Sequence, residues 1–308
     1  MKRVFAAILS VLLFENVVIA AFSSADLGTT SATFLKLGAG ARPAAMGNCY
    51  VGVADDSTAI YWNPAGLDQI TEKNGSATLM HAVWLEDIYY DWVSYALPIE
   101  KWGVFGIGVQ YLSYGSLAGY DNTGLSTGNF SPTDTAVSLA YARNIRGFDF
   151  GINLKYITST IVNTATAYAA DIGVIKKFVN QKLTLGACVQ NMGTSLTYLS
   201  EREPLPFNVK VGGSYKIKTN RLAAADINAP IDGPQYYGAG TEYVQKIKGS
   251  LEVAVRGGYN TQNINTGGIN GFTVGLGIKY FMYSLDYAFV PYGDLGNTNK
   301  ISLSVAFK

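Results

Sequence analysis

The chain has 308 residues and a formal net charge of +1, with 34 Gly, 21 Tyr and 14 Phe beside only 15% charged residues, where soluble domains carry roughly 25%. No basic cluster stands out along it, which excludes a nucleic-acid footprint. Two cysteines are too few for a disulfide-stapled scaffold and lack zinc-site spacing, so no metal or cofactor is expected.

In chain order, Lys2 and Arg3 precede an apolar run from Val4 to Phe14, followed by small residues at Ala20, Ala21 and Ser23 to Ala25. This is the pattern of a cleavable secretory signal peptide over residues 1–25, too short and too close to the terminus to anchor the chain. No long unbroken apolar stretch follows, which excludes a helical membrane protein. Any spanning of a membrane therefore uses strands.

Residues 26–74 form a separate unit without clean alternation. Within it, Asp55 or Asp56 before Ser57, Thr58, Ala59 and Ile60 reads as the capped start of a short helix, which Pro64 stops or follows with a new turn. The paired aspartates lack the D-x-D-x-D spacing of a calcium loop. They are instead the nearest candidate partners for Arg42, which needs a carboxylate if buried.

From residue 75 to 308 the chain reads as a barrel domain of short segments with period-two alternation. After Gly147, Phe148, Phe150, Ile152, Leu154 and Tyr156 share one face, while Asp149, Gly151, Asn153 and Lys155 share the other. Leu251, Val253 and Val255 likewise oppose Glu252, Ala254 and Arg256. The second face is mostly Gly, Ala, Ser and isolated charges, unlike the densely charged face of a solvated sheet. It suits the crowded interior of a closed barrel whose apolar face meets lipid. The segments lie near residues 75–83, 88–97, 102–113, 133–143, 147–158, 166–178, 182–192, 206–217, 221–228, 236–245, 250–259, 271–280, 282–290 and 299–307. The expected fold is therefore all-β: an antiparallel transmembrane barrel of about fourteen strands, with an N-terminal hatch, or plug, containing short helices. Tight connections alternate with longer ones, which places both ends of the barrel domain in the periplasm.

Parity turns Lys155, Asp171, Glu252, Arg256 and Asp286 into the lumen, where charge pairing is the expected role. Cys188 also faces inward and Cys49 lies in the plug. The two thiols either meet in a disulfide or remain separate, because parity does not set height along the barrel. His81, the single histidine, falls in the first strand away from any nucleophile motif, so no enzyme is expected.

Residues 34–67, FLKLGAGARPAAMGNCYVGVADDSTAIYWNPAGL, closely resemble the N-terminal hatch of the PorV/PorQ proteins, a branch of the FadL-like outer-membrane family. Arg42, Pro43, Met46, Gly47, Asp55, Asp56, Asn63, Pro64, Ala65 and Gly66 carry the match, supported by Pro291, Gly293, Asp294, Leu295 and Gly296. The resemblance implies a fourteen-stranded barrel in the cell outer membrane, plugged by the hatch. It further implies work in type IX-like protein secretion or surface assembly, with secretion-system or exported proteins as partners. The alternatives are a FadL-like channel for hydrophobic small molecules and a purely structural barrel. The hatch, especially Asn63, Pro64 and Ala65, is expected to occupy the lumen and control passage or partner engagement.

Overall fold

In the computed structural model, which describes residues 26–198, 201–263 and 270–307, fourteen antiparallel strands close into one barrel. The signal peptide expected over residues 1–25 lies outside the described residues. In chain order the strands are β1 (Ser76–Val83), β2 (Tyr89–Ile99), β3 (Gly103–Ser113), β4 (Leu117–Tyr120), β5 (Ser126–Phe130), β6 (Thr133–Ile145), β7 (Phe148–Thr160), β8 (Thr164–Phe178) and β9 (Leu183–Gly193). They continue with β10 (Leu196–Tyr198), β11 (Glu201–Glu203), β12 (Asn208–Lys218), β13 (Arg221–Pro230), β14 (Tyr236–Lys248), β15 (Leu251–Asn260), β16 (Phe272–Tyr280), β17 (Tyr283–Pro291) and β18 (Asn297–Ala306). β18 closes on β1, with Ser76 opposite Ala306 and Leu79 opposite Leu303, so neither strand leaves an open edge.

Each wall strand coincides with one alternating sequence segment to within a few residues. The hairpins β4–β5 and β10–β11 stand outside the wall and are additions to the sequence expectation. Their strands, three to five residues each, are too short to display a period.

Tight turns gather at one end of the barrel, where β1 starts and β18 finishes. Arg146 and Gly147, joining β6 to β7, both have positive φ (54° and 79°), the geometry that matches a two-residue turn to the twist of its strands. The opposite, loop end carries most of the longer connections, including both extra hairpins.

Burial alternates residue by residue along β7, as a two-faced strand requires. Outward side chains are large and apolar, with Leu139 60% and Leu276 56% exposed. An apolar belt of this extent is incompatible with a water-facing surface and matches the lipid-facing band of an outer-membrane barrel. Lys155, Asp171, Arg256 and Asp286 point the other way and are buried.

The lumen is filled. Residues 33–70 fold back and forth inside it as two short helices, α1 (Ala41–Ala45) and α2 (Ala59–Trp62), and two 3-10 turns, Thr33–Lys36 and Pro64–Gln69. Phe34, Met46, Tyr50, Ile60 and Leu67 are fully buried there. The wall makes room with small residues: a Cβ on Gly151 would overlap the backbone of Pro64 and Ala65, and one on Gly258 would overlap that of Met46 and Gly47.

Candidate functional site

The luminal segment has too little secondary structure to pair its own backbone, and an unpaired buried peptide group is costly. The wall supplies the partners. Gln110 donates to the carbonyl of Phe34 at 2.6 Å, Tyr90 to Leu37 at 2.7 Å, Lys300 to Gly38 at 2.7 Å and Ser214 to Gly52 at 2.8 Å. Asp226 Oδ2 accepts from the amides of Tyr50 (2.7 Å) and Val51 (3.0 Å), and Ser302 Oγ accepts from Ala41 N at 2.7 Å. The inward polar residues of the strands therefore match a particular chain path within the lumen.

Asn63 is buried at the centre of this arrangement. Its Oδ1 accepts from Ala65 N at 3.2 Å, capping the 3-10 turn that Pro64 begins, while its Nδ2 donates to Val51 O at 3.0 Å. The bend between α2 and the turn is thereby tied to the preceding pass of the chain. Asp56 Oδ1 accepts from Thr58 N at 2.8 Å just before α2, so Asp56 rather than Asp55 organises the approach to that helix.

Charge ties the segment to the wall at two levels. Nearer the turn end, Arg42 donates from Nε and Nη2 to both oxygens of Glu242 (2.8 and 2.9 Å) and from Nη1 to Asp55 (2.6 Å). Arg256 then bridges Glu242 and Asp286, each at 2.7 Å. Burial opposes the Arg42 charge, but Asp55 and Glu242 outweigh it and hold the guanidinium pKa above its ordinary value. Tyr50, which accepts from Arg42 and donates to Asp56 at 2.7 Å, is pushed up chiefly by burial. At the loop end, Lys36 meets Asp232 at 2.6 Å and Ser31 N donates to Pro204 O at 2.9 Å. The luminal segment therefore enters at the loop end and leaves at the turn end, where β1 begins.

Other residues singled out in the sequence have distinct positions. Lys155 and Asp171 form a buried pair at 2.8 Å, at the bulge that shifts the β8–β9 register between Ala170 and Ile172. Glu252 keeps its inward parity but sits half-exposed at the turn-end mouth, 3.4 Å from Lys246. His81 lies on the outer surface, its Nδ1 2.7 Å from Asp91. Cys49 and Cys188 are both buried and free, which corrects the disulfide alternative. Cys49 packs near Gly47 and Gly238, whereas Cys188 lies between Gly173 and Lys210 in the ladder.

Cavities lie on both sides of the segment. The turn-end cavity, about 350 Å³, is lined by Arg42, Asp55, Asp56, Glu242, Arg256 and Lys279. The loop-end cavity, about 630 Å³, includes Leu35, Tyr61, Pro206, Asn208, Lys210 and Tyr236 in its wall. Lys210 is only 4% exposed and lies 5.6 and 5.1 Å from the ring centroids of Tyr61 and Trp62. Among the described residues it has no ion-pair partner.

Sequence reasoning marked Arg42, Asp55 and Asp56 but missed Asp226, Asp232 and Lys300, whose partners in the luminal segment are far away in sequence. For Asp226 and Lys300 inward parity was the only available signal, and Asp232, in the turn after β13, had none.

The family model of the type IX secretion system protein PorV matches residues 22–232, spanning the luminal segment and most of the wall. No curated protein matches the chain. The toluene transporter TodX of Pseudomonas putida is similar in structure at TM-score 0.58 and 14% identity, covering 87% of this chain and 97% of that one. The Ralstonia pickettii toluene transporter TbuX gives TM-score 0.58 at 12% identity, covering 88% and 99%. A FadL homologue of Pseudomonas aeruginosa gives 0.52 at 11%, covering 86% and 98%. At these identities the likeness establishes the fold alone.

Proposed function

Because the chain belongs to the PorV family, we propose that it is a non-enzymatic outer-membrane component of type IX-like protein secretion or surface assembly, in which residues 26–74 act as a fixed hatch. The turn end faces the periplasm and the loop end the cell exterior, the usual arrangement of short turns and long loops. The observation that carries this reading is the hatch itself. Wall side chains pair its backbone, and ion pairs hold it near both ends, so it closes the lumen to free flow. Work then takes place at the exterior face, where β4–β5 and the β7–β8 loop project Leu125 and Val162 into solvent. Asn63, Pro64 and Ala65 set the path of the hatch, and Arg42, Asp55 and Asp56 hold it shut.

Photo-crosslinkers at Leu125 and Val162 in cells of the native host test this reading. The expected products are adducts with secretion components or exported proteins. Absence of protein adducts, together with saturable uptake of a hydrophobic solute by vesicles carrying the barrel, would favour the second reading, a FadL-like channel. One observation supports that alternative: the loop-end cavity joins Leu35, Pro206, Tyr61 and Tyr236 in a space of about 630 Å³, a size suited to a small ligand.

A further inference from the structure

The formal charge of +1 conceals a strong separation along the barrel axis. Every short turn at the turn end carries a cation in it or beside it: Lys101, Arg146, Lys182, Lys218, Lys246 and Lys279. The loop end is acidic, with Asp121, Glu201, Glu203, Asp232 and Asp294 against Arg202 and Lys36, the latter tied to Asp232. Read along the chain the cations look isolated; closing the barrel assembles them into a ring.

Parity divides this ring. Lys177, Lys216, Lys246 and Lys279 share the inward register around the mouth, whereas Arg143, Lys176 and Arg221 share the outward register with the lipid-facing aromatics, and a bulge after Lys216 sets Lys218 opposite Arg221. Arg143 stands opposite Phe150 in the β6–β7 ladder. Lys176 Nζ lies 4.1 Å from the Phe148 ring centroid and donates to Gly147 O at 2.6 Å. The Arg221 guanidinium carbon lies 5.3 Å from the Tyr243 ring centroid. None of the three has a carboxylate within ion-pair distance among the described residues. A cation stacked on a lipid-facing ring, as Lys176 and Arg221 are, or paired beside one, as Arg143 is, lies at the edge of the apolar belt at headgroup level, with its charge turned toward the interface.

We infer that Arg143, Lys176 and Arg221 form a binding girdle for anionic phospholipid headgroups in the membrane leaflet at the turn end. A guanidinium can donate two parallel bonds to a phosphate and an ammonium can add a point charge. Zwitterionic headgroups offer the same phosphate with a competing internal cation, so the girdle selects net negative lipid. Each cation near an anionic surface contributes a factor of about five in local preference, and high salt weakens it.

This inference rests on the outer-membrane reading, and one experiment separates the two. The full chain is reconstituted into vesicles of phosphatidylethanolamine with phosphatidylglycerol and re-extracted in mild detergent, and the retained lipids are quantified by mass spectrometry. Enrichment of phosphatidylglycerol severalfold over the bulk ratio is expected, falling with salt. It should be lost in Arg143→Gln/Lys176→Gln/Arg221→Gln and kept in the mouth variant Lys216→Gln/Lys246→Gln/Lys279→Gln. The charge-retaining Arg143→Lys/Arg221→Lys should keep most of it. Failure of the wild-type chain to insert into any vesicle would overturn the membrane placement. Insertion without enrichment, or enrichment that disappears only in the mouth variant, would overturn the girdle. If the glutamine variant fails to fold, the wild-type salt titration decides: salt-insensitive retention refutes the inference.

Discussion

Replacing Arg42 by Met keeps the aliphatic stem and removes the guanidinium that ties the hatch to β14. Two charge-assisted bonds to Glu242 are lost, along with one each to Asp55 and the Tyr50 hydroxyl. The Asp55 contribution is at most about 1 kcal/mol, because that carboxylate side chain is 42% exposed. A bond to a charged partner contributes about 1.5–3 kcal/mol. Glu242 is 8% exposed but keeps Arg256 at 2.7 Å, so the full penalty of an orphaned buried charge does not apply. The net loss for hatch docking is therefore about 2–4 kcal/mol, while the strand ladder that closes the wall is untouched. The assay is amide hydrogen exchange at Tyr50 and Val51 in the reconstituted protein, with gel mobility before and after heating to report wall closure. Exchange should accelerate roughly thirtyfold or more, with the wall still closed. A cycle with Glu242→Gln should show coupling above about 1 kcal/mol. Protection within about 0.5 kcal/mol of wild type, with additive single effects, would refute the ionic tie.

Gly151→Leu places a side chain where Pro64 and Ala65 run; the barrel should still close, but limited proteolysis should newly cut within residues 34–67. Leu139→Arg puts a charge on the lipid face and should destabilise the inserted barrel by up to about 2–4 kcal/mol in chemical denaturation, whereas Leu139→Ile should be near neutral. Thiol labelling of unfolded, unreduced protein should find both Cys49 and Cys188 reactive; blocked thiols would restore the disulfide.

The wall was legible because period two survives any register: β7 and β16 present their apolar faces without reference to neighbouring strands. The inward Gly, Ala and Ser were legible as crowding, but not its cause, which is close approach by Pro64 to the wall at Gly151 and by Met46 to the wall at Gly258. Asp226 was not singled out. Its partners, the amides of Tyr50 and Val51, are 176 and 175 residues away, and nothing local announces them. Arg42 was expected to need a carboxylate; its wall partner Glu242 required the luminal path to be known. Parity put Cys188 on the inner face but could not set the height of Cys49 beside it. The cationic ring was invisible along the chain because each turn contributes only one or a few charges.

The central claim, that this hatch-closed barrel serves protein delivery to the cell surface, is tested most directly by comparing the surface-exposed proteome of the host with and without the chain. The account predicts that a defined set of exported proteins disappears from the surface and returns when the wild-type chain is restored. An unchanged surface proteome accompanied by impaired uptake of a hydrophobic solute would contradict it.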